Sequence, residues 1–312
     1  MNEMRALRWL LACAAVTTSA APASAQDPTQ TTDDAAAVSL SVGTGIEYDS
    51  NVAVLELDTS TDAGDRSLLF DFGVGYDKPD TGRFDVQAGY DFSESLHDDF
   101  DSFDVRIHRG WGTLSYDLGR VDIGTTLQHA MAELDGNEFL TLQQISPYVS
   151  KLVGRRLFLR FAYAHSDKDF AGNTTRSANA DALSADAYVF IDGLRTYLVF
   201  GYRIDDENAI DSQFDYAGDM LRAQLAKRLM AGERELTLRT SLRFENRDYD
   251  SPTLSIGAPR RDDRRQFELS LDVPMGQRTT AQVVYEHADN SSNLPSVDFA
   301  ENVVSLKFRA RF

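Results

Sequence analysis

Five histidines, His97, His108, His129, His165 and His287, are the side chains best suited to moving protons, and two stand beside carboxylates, in His97-Asp98-Asp99 and His165-Ser166-Asp167. A hydrolytic site needs a nucleophile or an activated water, a base, and an acid that orients the base. Neither triplet matches a motif of that kind, and both fall at the edges of polar segments, where solvated side chains are expected. Acids cluster at Asp49, Glu56, Asp58, Asp62 and Asp65, and again at Asp98, Asp99, Asp101 and Asp104. Such groups can hold calcium or magnesium, yet the spacing resembles no calcium-binding loop. The expectation is no catalytic residue, no metal, no cofactor and no enzymatic activity.

Any remaining chemistry is electrostatic, and it depends on which face of which element carries each charge. From Val38 onward the chain alternates strictly. Val38, Leu40, Val42, Thr44, Ile46 and Tyr48 share one face, opposed by Ser39, Ser41, Gly43, Gly45 and Glu47. Period-2 alternation over about ten residues marks a strand lying between an apolar and a polar phase. The same signature returns at Leu68–Tyr76, Phe84–Phe92, Val105–Tyr116, Val121–Met131 and Leu140–Lys151, where Pro147 weakens the pattern. It continues at Leu157–Tyr163, Leu183–Val189, Leu198–Tyr202, Leu221–Leu225, Leu236–Phe244, Phe267–Val273, Ala281–Tyr285 and Val304–Phe312.

Short glycine-bearing turns near residues 78–82, 117–120, 153–155, 192–194, 231–233 and 275–277 alternate with polar links at 49–66, 93–103, 133–139, 166–180, 205–215, 246–263 and 288–300. Six short and seven long connections imply fourteen strands with both termini on one side. The fold expected is a transmembrane, up-and-down antiparallel β-barrel over 38–312, with short periplasmic turns and longer extracellular loops. A soluble sandwich also alternates, but its strands centre on about 5 or 6 residues. No stretch of about 18 apolar residues follows the N-terminus, which excludes a helical membrane protein.

Residues 1–25 read as an export signal. Arg5 and Arg8 form the basic segment, Trp9–Val16 the apolar core and Ala23-Ser24-Ala25 the cleavage site. The alternative is a lipobox, Leu10-Leu11-Ala12 before Cys13. Cys13 is the sole cysteine, so a cleaved chain has no disulfide or thiolate zinc site. Residues 26–37 are a polar periplasmic lead-in. The whole chain carries −18; the signal, with Arg5, Arg8 and Glu3, carries +1, leaving −19. So acidic a protein is not expected to bind nucleic acid. The expected location is the bacterial outer membrane, with its lipid and lipopolysaccharide as partners.

With the faces assigned, the polar side carries Asp71, Asp85, Asp91 and Asp122 on early strands and Arg160, Arg203, Arg222, Arg239 and Arg243 on later ones. Strands adjacent in sequence are adjacent in a barrel, so an acidic lumen wall is expected to face a basic one, giving a transverse field. The alternative is that these charges pair and fill the lumen.

The final run, Asn302 to Phe312, resembles the C-terminal signature of outer-membrane proteins, in which alternating residues ending in Phe are read by the barrel-assembly machinery. That resemblance implicates Phe308 and Phe312. Gly45-Ile46-Glu47-Tyr48-Asp49-Ser50-Asn51-Val52 resembles the first strand and loop of the barrel of surface lipoprotein assembly modifiers and related porin-like barrels. Those proteins carry a helical repeat domain ahead of the barrel, which 26–37 is too short to hold. The resemblance implies a periplasmic or surface-lipoprotein partner. The expected function is a porin-like passive channel for small hydrophilic solutes. The alternatives are a translocation barrel for surface lipoprotein or polysaccharide, and a closed structural or adhesive barrel.

Overall fold

A computed structural model describes residues 37–78 and 82–312. The export signal expected at 1–25, the expected lead-in up to residue 36, and Pro79-Asp80-Thr81 lie outside the described residues. Fourteen strands among the described residues close into one antiparallel barrel in chain order, the last pairing with the first. They are β1 (Ala37–Asp49), β2 (Asp65–Asp77), β3 (Phe84–His97), β4 (Val105–Asp117), β5 (Asp122–Leu134), β6 (Asn137–Val153) and β7 (Leu157–Phe170). Then follow β8 (Ala178–Asp192), β9 (Thr196–Ala209), β10 (Tyr216–Ala231), β11 (Arg234–Thr253), β12 (Ala258–Pro274), β13 (Thr279–Ser292) and β14 (Phe299–Arg311).

Closure is what a hydrocarbon phase demands, because it leaves no strand edge with unmet backbone groups. The seam runs from Ser41↔Arg311 to Asp49↔Val303. It is finished by Phe312, whose backbone N–H donates to Leu40 O at 2.8 Å while its carbonyl accepts from Leu40 N at 3.1 Å. The period-2 pattern sorts the faces. Val38, Ile46, Leu68, Phe161, Phe200 and Val304 point outward and are exposed, Val38 by 69%. Their neighbours Gly45, Ser67 and Arg160 point inward and are buried. Tyr48, Tyr76, Tyr90, Tyr163, Tyr202 and Tyr285 join the outward set, as an interfacial girdle requires.

The strands outrun the apolar pattern. β11 is 20 residues long; at about 3.3 Å per residue and a tilt of about 40°, it rises roughly 50 Å against an apolar band of about 25 Å. Links read from the sequence as long are therefore mostly strand. The link at 246–263 shrinks to a turn at 254–257, and 133–139 becomes a tight hairpin at Asp135-Gly136, both with positive φ. Pro147 sits inside β6, where it has no N–H to give the ladder. Pairing with β7 skips from Ile145↔His165 to Tyr148↔Ala162, and the Ser146 hydroxyl donates to Tyr163 O at 3.1 Å instead.

Candidate functional site

The inward face differs between the two ends of the barrel. At the end where β1 begins and β14 finishes, the termini end of the described barrel, inward side chains such as Gln87, Trp111, Thr113, Tyr148 and Ser241 are partly exposed, forming a vestibule. Toward the opposite, loop-bearing end, Ser166, Lys168, Glu207, Tyr216 and Arg264 are buried. The cause is the first loop, residues 50–64, which folds into the lumen.

That loop is built to be inside. Its stem is fixed by Val52 N donating to Ala63 O at 3.2 Å and Thr61 N donating to Val52 O at 2.9 Å. Ala53–Val54 and Thr59–Ser60 make a two-residue ladder around a 3₁₀ turn, Leu55–Leu57. The return passes Gly64 so closely that a Cβ there would stand 2.7 Å from the Tyr48 hydroxyl and 2.8 Å from Asp49 O. Val54 is buried in an apolar cluster with Val105, Ile107, Ala130, Ala132, Leu142 and Phe170 on the walls of β4 to β7. Burying one valine contributes about 1.5–3 kcal/mol. Room for the loop comes from small inward residues, Ala164, Ala178, Ala180 and Ala182, all buried.

Polar contacts hold the loop on its other side. The Asp58 carboxylate accepts from Arg260 Nη1 on β12 at 2.6 Å and from Arg176 in the loop between β7 and β8. Arg176 also donates to Glu56 O and stacks on Phe214 at 4.3 Å. Arg260 stacks on Tyr249 at 4.7 Å and meets Asp262 at 2.7 Å. Glu56 is buried, and its Oε2 has no hydrogen-bond partner among the described residues. Burial pushes its carboxyl up to about 8, against the pull of Arg247, Lys168 and Arg264.

The nine lumen charges singled out from the sequence all fall on the inward-facing register of their strands, the acids on β2, β3 and β5 and the arginines on β7 and β9 to β11. They do not stand as two bare walls. Asp71 accepts from Arg309 at 3.2 Å, and Asp91 accepts from Arg109 and from Trp111 Nε1 at 3.0 Å. On the basic arc, Arg203 meets Asp205 at 3.4 Å, Arg222 meets Asp186 at 2.7 Å, and Arg239 meets Asp272 at 2.5 Å. Arg243 meets Glu245 at 2.5 Å, and Arg160 stacks on Tyr148 at 4.0 Å. Asp85 and Asp122 are half-buried near the termini end. The partners Asp186, Asp205, Glu245 and Asp272 obey the same alternation and were open to the same reading.

The histidine triplets do not assemble. His165 points outward and meets Asp181 at 2.9 Å, whereas Ser166 points inward to Gln144. His97 lies 3.5 Å from Asp104, not beside Asp98 or Asp99. Phe308 and Phe312 are exposed.

The barrel is similar to solved structures. These include the anion-selective porin from Comamonas acidovorans (11% identity, TM-score 0.51, 89% of this chain and 99% of that one). The loop L8 deletion mutant of OmpT, an outer membrane protein of Vibrio cholerae, matches at 8% identity and TM-score 0.53, over 89% of this chain and 100% of that one. The outer-membrane expressed OmpT of the same organism matches at 11% identity and TM-score 0.52, over 90% and 99%. At these identities the likeness shows the fold alone. No protein-family model matches the chain. No curated protein matches it in sequence.

Proposed function

We propose that the chain is an outer-membrane, porin-like passive channel for small hydrophilic solutes, with its loop-bearing mouth on the outside and closed there by the first loop. The carrying observation is a closed wall, apolar outside along its mid-strand band and lined inside by paired charges on most strands, whose blockage is one loop held by side-chain contacts. Charges paired along the wall give a wet, low-field path rather than a strong transverse field. Diffusion needs no cofactor and no energy source. The bilayer and lipopolysaccharide would contact the outward tyrosines, and the assembly machinery would read Phe308 and Phe312.

A second reading, a closed structural barrel, draws support from the burial of so many inward side chains, Ser166 and Ser270 among them. Single-channel conductance of the chain from residue 26, refolded and placed in a planar bilayer, separates the two. Steady steps with salt-dependent selectivity are expected. Silence from folded protein, persisting when the loop 50–64 is excised, leaves the structural barrel.

A further inference from the structure

Two acids of the first loop, Glu56 and Asp58, lie among five cations of the barrel: Lys168, Arg176, Arg247, Arg260 and Arg264. Three of the five have wall acids at contact distance. Lys168 meets Glu207 at 2.6 Å, Arg247 meets Glu245 at 2.9 Å, and Arg260 meets Asp262 at 2.7 Å. Glu245 is shared, since Arg243 meets it too.

The other two differ. Among the described residues the Arg176 guanidinium reaches only the loop, through Asp58 and Glu56 O, and the face of Phe214. Arg264 is 8% exposed, and its Nε has no hydrogen-bond partner among the described residues. Glu301, Glu245 and Glu286 act on it through their charge. Arg247, Arg260 and Arg264 line one small cavity under Leu55, and Asp58 joins Arg260 to Arg176, so the cations form a continuous cradle.

Resting on the channel reading above, we propose that this cradle is the solute-selecting site, that its ligand is a small dicarboxylate, and that Glu56 and Asp58 are tethered stand-ins which such a solute displaces. A buried cation left without a contacting anion is costly. Among the described residues Arg264 is already in that state, and with the loop withdrawn Arg176 would join it, which calls for two negative charges. Guanidinium groups match carboxylates through paired N–H donors. The loop is an imperfect occupant: Asp58 is clamped, but Glu56 Oε2 finds no donor and burial keeps that carboxyl protonated, so the loop brings one negative charge where the cradle calls for two. A tethered occupant acts at an effective concentration in the millimolar range, so a free dicarboxylate competes once the tethered acids are weakened.

The test is titration of succinate, with acetate and inorganic phosphate as controls, against the refolded barrel in detergent micelles. Three proteins are compared: wild type, the Glu56→Gln/Asp58→Asn double variant, and that variant carrying Arg176→Gln as well. These changes lie in loops, and the heat-modifiable gel band reports whether each barrel is folded. Succinate should bind the double variant about tenfold tighter than wild type, and lose about tenfold or more when Arg176 goes, the worth of one charge-assisted hydrogen bond. Equal affinity in all three proteins, or acetate binding as tightly as succinate, overturns the proposal. Phosphate binding tighter than succinate overturns the carboxylate assignment. Binding in micelles is independent of conduction. A barrel that conducts but ignores succinate refutes the site alone, whereas one that binds succinate yet stays silent refutes the channel.

Discussion

Replacing Glu56 by Gln should remove a pH dependence of loop seating that the wild-type barrel carries. Glu56 is buried in the loop 50–64, and burial pushes its carboxyl from 4.5 up to about 8. The groups facing it are Arg247 on β11, Lys168 on β7 and Arg264 on β12, and their charges do not offset the loss of water. A carboxyl whose value is raised in the seated state favours seating while it stays protonated. Below about 4.5 the proton is bound whether the loop is in or out, and pH has no effect. As pH climbs from there to about 8, the released loop gives up its proton and the seated loop keeps it. Seating then weakens by about 1.4 kcal/mol per pH unit, a total on the order of 5 kcal/mol over that span. Above 8 both states are ionised and the curve flattens. Hydrogen exchange of the peptide spanning 50–64, corrected for the intrinsic pH dependence of exchange, reads this without presuming conduction. In wild type the corrected protection should fall between pH 5 and 8. In Glu56→Gln it should be flat and match the wild-type value at pH 5. An unchanged slope in the variant, or protection that rises with pH, refutes the reasoning.

Gly45→Ala should weaken the seam, because a Cβ there would stand 2.6 Å from Leu306 O and 2.8 Å from Lys307 Cγ. Overpacking of that kind costs about 1–3 kcal/mol, visible as a lower urea midpoint for loss of the heat-modifiable band, and an unchanged midpoint would contradict it. Deleting Phe312 removes its two backbone hydrogen bonds to Leu40, about 0.5–1.5 kcal/mol each. It should reduce insertion in cells far more than unaided refolding; equal losses in both would argue against an assembly signal. Arg239→Ala and Arg243→Ala should part company. Arg239 is partly exposed toward the vestibule, so losing it leaves Asp272 in the water path and shifts the reversal potential toward cations. Arg243 is 3% exposed against Glu245, and breaking such a buried pair costs about 3–5 kcal/mol, read as a lower unfolding midpoint.

The barrel was legible because alternation is a local property: every strand had to show apolar groups outward and polar groups inward. Strand ends were not legible, because above the apolar band both faces are wet and the contrast disappears. Asp167, Asp206 and Asn208 all face outward and continue their strands, yet in sequence they read as links. Asp135-Gly136 carried the turn chemistry of a two-residue hairpin and was absorbed into a longer link for the same reason. Pro147 misled in the other direction, since a hydroxyl on Ser146 meets the carbonyl its missing N–H leaves behind.

The inward position of the charges followed from the same alternation, but their pairing did not, because parity fixes the side of a strand and says nothing of height. Nor did alternation reveal that the first loop enters the lumen. A signal was present: Val52-Ala53-Val54-Leu55-Glu56-Leu57 puts four large aliphatic residues into a link that is otherwise polar, where an exposed loop would carry polar ones. Its counterpart is the run of inward alanines on β7 and β8, which spends lumen-facing positions on side chains too small to line a pore by charge. The anchor and the latch also fall on different arcs. Val54 packs on β4 to β7, while Asp58 is held by Arg260 on β12 and by Arg176 beyond β7. Salt and solute anions act on the second set and leave the first alone. Breaking the Asp58 contacts would therefore free the loop from Arg260 and Arg176 while leaving Val54 packed on β4 to β7.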